Sequence, residues 1–94
     1  MAWEVQISNR TSKNISMLPK EIKKKLLVLF LELEKEGPYR NNWPNYGSLK
    51  GKKESFHCHV KKGSPTYVSV WEIVDKKIHI LEVTYVGTHE KAPY

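Results

Sequence analysis

Apolar and polar residues alternate near the start of the chain and again through most of its second half. Trp3, Val5 and Ile7 alternate with polar residues over residues 3–8, which is the pattern of a half-buried strand. Three further strand candidates follow later, over residues 54–61, 66–74 and 77–86. Because their connections are short, these three strands are predicted to form an antiparallel meander.

Between the first strand and the meander, apolar residues recur at helical spacing. A short helix is predicted over residues 11–17, with Ser8 or Thr11 as its cap. A longer helix is predicted to begin at Pro19, because proline is tolerated where the first amide has no partner, and to stop at Gly37. The residues expected on its buried face are Ile22, Leu26, Leu29, Phe30 and Leu33.

The segment 38–51 has no sustained period and is rich in proline, asparagine, glycine and aromatic residues. It is predicted to be a loop anchored by Trp43 and Tyr46, whose large apolar areas favour burial. The resulting order β-α-α-β-β-β predicts an α+β fold, an antiparallel sheet with two helices packed on one face. With 94 residues and no internal linker, residues 1–94 are expected to form a single domain.

The first meander strand carries the most informative chemistry of the chain. Strand alternation is expected to aim His57, His59 and Lys61 at one face of the sheet. The opposite face would receive the apolar residues Phe56, Cys58 and Val60. Histidines can move protons and lysines can hold a phosphodiester, which is the equipment of a metal-free ribonuclease. The alternative is an amphipathic strand with a solvated polar face.

The positive charge is concentrated around this strand. The formal net charge is +6, and residues 50–62 contain five lysines and one glutamate, or +4 of that total. Such a basic patch suits a polyanion, most often nucleic acid or an acidic protein. The lysines predicted to bind RNA are Lys50, Lys52, Lys53, Lys61 and Lys62. For Lys52 and Lys53 taken alone, a solvated loop is an equally good interpretation.

Cysteine content and hydropathy indicate the compartment. The single cysteine, Cys58, cannot form an internal disulfide, and it is expected to be a small buried hydrophobe rather than a nucleophile. The N-terminus has no basic segment followed by an apolar stretch, and no apolar run approaches the ~20 residues needed to span a bilayer. These features predict a cytoplasmic protein.

The order of the predicted elements, together with several short motifs, resembles the RelE/ParE superfamily of toxin-antitoxin systems. The motifs are Leu49-Lys50-Gly51 before the first meander strand, Trp43-Pro44-Asn45-Tyr46 in the loop, and Val86-Gly87 followed by a polar tail that ends in Tyr94. The resemblance covers nearly the whole chain and is strongest to RelE-like translational repressors. It implies a toxin that cleaves messenger RNA in the ribosomal decoding site and a cognate antitoxin that covers its basic face.

The resemblance also implies site residues. The two lysines that RelE toxins place on the first meander strand correspond to His57 and His59. The arginine that follows the last strand corresponds to His89, and the tyrosine of the tail corresponds to Tyr94 if one residue is skipped. Two related groups, the HigB-like and YoeB toxins, also use a histidine in the tail.

One family charge is missing. The arginine on the second meander strand corresponds to Val68, so Lys61 or Lys62 would have to supply positive charge from a neighbouring position. Fewer fixed charges mean weaker stabilisation of a phosphorane, and a catalytically weakened RNA-binding member is an alternative. Histidine, however, exchanges protons near neutrality far better than lysine does.

The implied chemistry needs a base, an acid and cationic support, and no cofactor. His57 or His59 is predicted to be the base and His89 the acid, with Tyr94 stacking or hydrogen bonding to the substrate. A zinc site formed by the three histidines is less favoured, because the nearby lysines repel a dication. A non-enzymatic alternative is a ParE-like inhibitor that binds DNA gyrase, for which an exposed apolar surface without convergent histidines would be expected.

Overall fold

A computed structural model of the chain describes residues 2–51 and 54–94. Within these ranges the structure contains two helices, five strands and a short 3-10 turn. In chain order these are β1 (Glu4–Ile7), α1 (Asn9–Ser16), α2 (Lys20–Glu36), β2 (Gly47–Leu49), β3 (Ser55–Lys61), β4 (Tyr67–Asp75), β5 (Ile80–Thr88) and the turn His89–Lys91. The predicted α+β class and the order of its main elements are confirmed, and the predicted boundaries shift by a few residues.

The predicted loop contains one additional strand. β2 has only three residues and pairs antiparallel with β3, with Gly47 opposite His57 and Leu49 opposite Ser55. Three residues are too few to establish an alternating pattern, so no periodic signal indicated β2. Trp43 and Tyr46 pack against the core, as predicted.

The sheet is mixed rather than wholly antiparallel. Its strand order is β1-β5-β4-β3-β2, and the four later strands pair antiparallel. β1 pairs parallel with β5, with Glu4 opposite Ile80 and Ile7 opposite Val83. Parallel pairing requires a crossover connection, which the two helices help to supply. The prediction of an antiparallel sheet is therefore corrected for β1, whose partner strand lies more than seventy residues later in the chain.

Local capping interactions set the limits of both helices. Ser8 is the N-cap of α1, and its side chain accepts a hydrogen bond from the amide of Thr11 at 3.2 Å. Pro19 precedes α2 as its N-cap, and Gly37 ends it with a φ of 95°. A side chain at Gly37 would be strained by this backbone conformation, and its Cβ would also lie 2.8 Å from Nε1 of Trp3.

The hydrophobic core lies between α2 and one face of the sheet. α2 contributes Ile22, Leu26, Leu29 and Leu33, all of which are buried, while Phe30 is only partly buried. The sheet contributes apolar side chains from β3, β4 and β5, including Phe56, Cys58, Trp71, Leu81 and Val83. This helix-covered face leaves the alternate side chains of the same strands on the opposite face, which is called the open face below.

Two polar anchors hold the segment between α2 and β2. One carboxylate oxygen of Glu32 accepts hydrogen bonds at 2.9–3.0 Å from Arg40, Asn42 and Trp43. The indole of the buried Trp71 donates to the carbonyl oxygen of Pro38 at 3.0 Å. Although burial acts to raise it, the pKa of Glu32 is lowered overall by these hydrogen bonds. Over the described ranges, no helix is both long and apolar enough to cross a membrane.

Candidate functional site

The open face carries two of the predicted site residues. His57 and His59 alternate on β3 with Phe56, Cys58 and Val60, which are buried on the helix side. Across the sheet, His57 lies opposite Val70 and His59 lies opposite Val68. The two valines are buried although they do not belong to the core under α2. The histidines and their neighbours therefore cover a small apolar floor on the open face.

Lys61, which was predicted to share a face with His57 and His59, does not lie on that face. The register between β3 and β4 shifts between His59 and Lys61, so that Val60 is an extra residue and Lys61 lies opposite Tyr67. The ammonium of Lys61 lies 3.3 Å from a carboxylate oxygen of Glu21 on α2. A β-bulge adds one residue to a strand and redirects the side chains that follow it. The prediction that Lys61 faces the same way as the histidines is therefore wrong.

The C-terminal tail returns to the open face. The amide of His89 donates to the carbonyl oxygen of Thr66 at 2.8 Å, which holds the tail against the start of β4. The His89 ring lies 5.5 Å from the His59 ring at an interplanar angle of 70°. The Tyr94 ring lies 4.8 Å from the His57 ring, tilted by 38°, and 6.0 Å from the His89 ring. His57, His59, His89 and Tyr94, called the histidine cluster below, thus come together from distant parts of the sequence.

Tyr85 supports the cluster and was not singled out from the sequence. Tyr85 lies opposite Val70 on β5, in the same cross-strand row as His57. Its hydroxyl donates to the carbonyl oxygen of Thr88 at 2.7 Å. A Cβ at Gly87 would lie only 2.6 Å from this hydroxyl, so glycine provides the space that the tyrosine occupies. Alternation along β5 could have placed Tyr85 on this face, but the bulge in the β4–β5 register obscures the pattern.

The environment of the cluster keeps two of its imidazoles neutral. Burial lowers the pKa of His57, and the charge on His89 lowers it further. Burial also lowers the pKa of His59, with additional effects from His89, His57 and Lys62. Partial burial raises the pKa of the Tyr94 hydroxyl. At neutral pH the cluster therefore offers the unprotonated imidazoles of His57 and His59 and the protonated hydroxyl of Tyr94.

The two nitrogens of His57 are in different surroundings. Its Nδ1 is buried and makes no hydrogen bond to any residue that the structure describes. Its Nε2 lies on the side of Gly47, where a Cβ would be 3.6 Å away, an ordinary van der Waals contact. His59 lacks such a buried, unpaired nitrogen, since none of its side-chain atoms is among the buried unpaired groups of the described residues.

Cys58 lies beneath the cluster on the other side of the strand. It is free, fully buried and part of the core under α2. Burial raises the pKa of its thiol to about 12, with a smaller effect of Glu32. A thiol that remains protonated at neutral pH is a poor nucleophile. The prediction of a small buried hydrophobe is confirmed.

The predicted RNA-binding lysines do not form one patch at the cluster. Lys62 lies close enough to His59 to lower its pKa, whereas Lys61 faces α2. Lys50 follows β2 at the end where Leu49 pairs with Ser55, while the cluster lies toward the other end of β2. Lys52 and Lys53 lie outside the described residues.

Acidic side chains occupy the open face beyond the cluster. Glu72 and Glu82 lie directly opposite each other on β4 and β5, and their sequence neighbours are buried on the helix side. The open face beyond the cluster therefore carries carboxylates on the adjacent strands β4 and β5.

A metal site is not formed by these residues. Among the residues that the structure describes, no group of three or more histidine, cysteine, aspartate or glutamate side chains could hold a metal ion. Two of the imidazoles, His59 and His89, meet edge to face. This arrangement suits proton transfer between neighbouring groups and a bound phosphodiester rather than a tetrahedral centre.

Comparison with solved structures identifies the fold. The chain superimposes on an archaeal RelE in the RelE-RelB complex from Pyrococcus horikoshii with a TM-score of 0.78 and 18% sequence identity, covering 98% of this chain and 100% of that one. It also matches a mutant of the E. coli toxin RelE in the free state, with a TM-score of 0.71 and 20% identity over 96% of this chain and 86% of that one. No protein-family model matches the sequence, and no curated protein sequence is significantly similar to it. The protein has a RelE-like fold.

Proposed function

We propose that this chain is the toxin of a type II toxin-antitoxin system and that it cleaves messenger RNA on the ribosome. The observation that carries the proposal is the convergence of His57 and His59 with His89 and Tyr94 on the open face of a RelE-like fold. Four groups able to donate, accept or stack are thereby available to a single phosphodiester. The protein would act in the cytoplasm, where its ribosomal target is found.

The proposed reaction is a transesterification within the RNA strand. The ribose 2′-oxygen attacks the adjacent phosphorus, a bond from this oxygen to phosphorus forms, and the bond from phosphorus to the 5′-oxygen breaks. A base takes the proton of the 2′-hydroxyl and an acid donates a proton to the leaving 5′-oxygen. The products are a 2′,3′-cyclic phosphate and a 5′-hydroxyl, and the reaction needs no metal or other cofactor.

His59 and His89 are the best-placed pair for these two proton transfers. Their rings lie 5.5 Å apart, and burial together with the charge on His89 lowers the pKa of His59. A base must be unprotonated before it can take a proton, and the lowered pKa of His59 favours that form. We assign His59 as the base and His89 as the acid. His57, with its buried and unpaired Nδ1, is assigned to orient Tyr94 and the substrate.

Cationic support comes from fewer groups than in the family that the sequence resembles. Among the lysines that the structure describes, Lys62 carries the charge that lowers the pKa of His59. Val68, which stands where the family has an arginine, is fully buried under the cluster and offers no charge. Slower chemistry than in toxins with more fixed cations is therefore expected, because less charge stabilises the transition state.

An antitoxin is the proposed protein partner. The outer side of α2 exposes Leu27, Val28 and Leu31, which helical spacing places along one stripe. Lys24 and Lys35 lie on the same side of α2, near the two ends of this stripe. We propose that an amphipathic segment of the antitoxin, with apolar residues flanked by acidic ones, packs on this stripe. The archaeal RelE of similar fold was solved in complex with RelB.

Expression of the wild type and of His89→Ala in cells or in a translation extract, followed by mapping of message ends, tests the proposed activity. Loss of a general acid should slow cleavage by about 10²–10⁴-fold. The matched control is Glu90→Ala, at the next position of the same exposed turn, which should retain activity. Equal toxicity of wild type and His89→Ala without message cleavage would contradict the nuclease and favour a ParE-like gyrase inhibitor. Cleavage of free RNA would contradict only the ribosome dependence.

A further inference from the structure

A cavity lies near the histidine cluster. It has a volume of about 470 Å³ and lies between the start of α1 and the C-terminal tail. Arg10 and Lys91 contribute its charged lining, while Tyr85 and Pro93 form part of the wall. This cavity is called the basic cleft below.

The charge of the basic cleft is not neutralised from within. Among the described residues, its lining contains two cations and no carboxylate. Over the ranges 2–51 and 54–94, neither Arg10 nor Lys91 forms an ion pair. Glu90, although adjacent to Lys91 in sequence, lines a different cavity together with His89 and Thr66. The basic cleft therefore presents two unpaired cations in a concave site, which concentrates positive potential.

Most hydroxyl groups around the basic cleft are already used within the protein. Ser8 donates to Thr11 at 3.1 Å and caps α1, and Thr11 in turn donates to the carbonyl oxygen of Thr84. The hydroxyl of Thr84 donates to the carbonyl oxygen of Val70. Recognition of a ligand would therefore rest on Arg10 and Lys91, with Asn14 as a further polar side chain of the lining. A guanidinium and an ammonium together are well suited to the oxygens of a phosphate.

Two residues that line the basic cleft, Tyr85 and Pro93, adjoin residues of the histidine cluster. Tyr85, which lines the cleft, belongs to the same cross-strand row as His57. Pro93, which also lines it, directly precedes Tyr94, whose ring lies against His57. A strand that crosses the cluster and continues past Tyr85 would enter the cleft.

We propose that the basic cleft binds a backbone phosphate of the RNA strand, at a nucleotide flanking the phosphodiester that lies on the histidine cluster. This inference rests on the proposed function and extends it from the reacting bond to the path of the strand. Contacts to the phosphate carry no sequence information, so the cleft contributes affinity and register rather than codon preference. An acidic protein segment is a less suitable ligand, because Tyr85 and Pro93 of the cleft adjoin residues of the cluster that would process RNA.

The test is binding of labelled single-stranded RNA in two lengths, a trinucleotide that covers only the cluster and a longer strand that reaches the cleft. Arg10→Glu is the main variant, since Arg10 is exposed on α1 and its replacement should leave folding intact. Lys77→Glu provides the matched control, because it makes the same charge change at the exposed β4–β5 turn, at the opposite end of β5. Thermal unfolding midpoints verify that both variants are folded.

Arg10→Glu should weaken binding of the longer RNA several-fold more than Lys77→Glu does, and should leave trinucleotide binding close to that of the control. The dependence of log affinity on log salt should become less steep by about 0.7 for each phosphate that the protein no longer neutralises. Arg10→Lys should restore much of the affinity, and Lys91→Glu should reproduce the weaker binding.

Equal effects of Arg10→Glu and Lys77→Glu on the longer RNA would overturn the proposal, as would failure of the wild type to bind that RNA. Binding of polyglutamate that Arg10→Glu weakens, with no such effect of Arg10→Glu on RNA binding, would also overturn it in favour of an acidic protein. Failure of the proposed nuclease activity is detected separately by the His89→Ala measurement in the translation extract. If the wild type cleaves messages but Arg10→Glu has no specific effect on RNA binding, only the proposed role of the cleft would thus be contradicted.

Discussion

The ring of Tyr94, the last residue of the chain, lies 4.8 Å from the ring of His57 in the middle of the sheet. This contact joins the tail to β3 and shields one side of the imidazole from water. The tail is therefore part of the candidate site rather than an appendage to it.

Removing the Tyr94 ring should raise the pKa of His57. Burial is the main cause of the lowered pKa of His57, and Tyr94→Ala would admit water to the imidazole. The measurement is an NMR titration of the His57 ring protons. Tyr94→Phe is the control, because it retains the ring and should leave the titration midpoint nearly unchanged. A midpoint in Tyr94→Ala equal to that of the wild type would show that the tail does not shield His57 in solution.

The stability of the fold should decrease as the pH falls below about 6.5. The pKa values of His57 and His59 are lower in the folded protein than their ordinary value of 6.5. Below pH 6.5 the unfolded chain therefore binds more protons than the folded one, and protonation favours unfolding. The contribution is fully present above pH 6.5 and is lost as the pH falls through the folded-state pKa values.

Urea unfolding of the wild type and of the double variant His57→Gln, His59→Gln measures this effect between about pH 7.5 and pH 5, a range in which exposed carboxylates remain ionised. The free energy of unfolding should change less with pH in the double variant. Parallel pH profiles for the two proteins would mean that these histidines titrate alike in the folded and unfolded states.

Gly87→Ala should destabilise the protein by about 1–3 kcal/mol, the usual cost of overpacking. A Cβ at this position would lie 2.6 Å from the hydroxyl oxygen and 2.9 Å from Cζ of Tyr85, so the ring would have to move and lose its hydrogen bond to Thr88. Denaturant unfolding gives the free energy. Gly51→Ala is the control, because nothing lies within 4 Å of its Cβ position.

Combination of Gly87→Ala with Tyr85→Ala separates this clash from other causes. If the tyrosine ring is the obstacle, the two substitutions should be clearly non-additive, since the second removes what the first disturbs. Additive losses would locate the effect of Gly87→Ala elsewhere.

Lys62→Ala should reduce message cleavage more than Lys61→Ala. The charge of Lys62 acts on His59, whereas Lys61 lies against Glu21 on the helix side of the β-bulge. Because the Lys61 pair is exposed at the surface, its loss should change stability by no more than about 1 kcal/mol. Cleavage rates in a translation extract and unfolding midpoints provide the comparison. A larger loss of cleavage for Lys61→Ala would place its side chain on the open face during the reaction.

Local sequence patterns were sufficient for most of the secondary structure. The cap at Ser8, the stop at Gly37 and the apolar stripe of α2 are set by interactions among residues close in sequence. Alternation along β3 likewise determined that His57 and His59 share a face, because successive side chains of a strand point in opposite directions. The presence of a tail histidine and tyrosine at the site followed from the resemblance to RelE toxins and not from periodicity.

What the sequence could not determine depends on contacts between distant segments. The parallel pairing of β1 with β5, the bulge that turns Lys61 toward α2, and the short strand β2 all follow from strand register, which is set by the packing of the whole sheet. The approach of His89 and Tyr94 to β3 depends on how the tail packs over the sheet after β5 ends. The same packing makes Lys91 and Arg10 line one cavity. The sequence by itself therefore determined the elements and the common face of His57 and His59. The tertiary structure alone decided which charged and aromatic groups meet them, because these contacts join residues thirty or more positions apart and local interactions do not encode them.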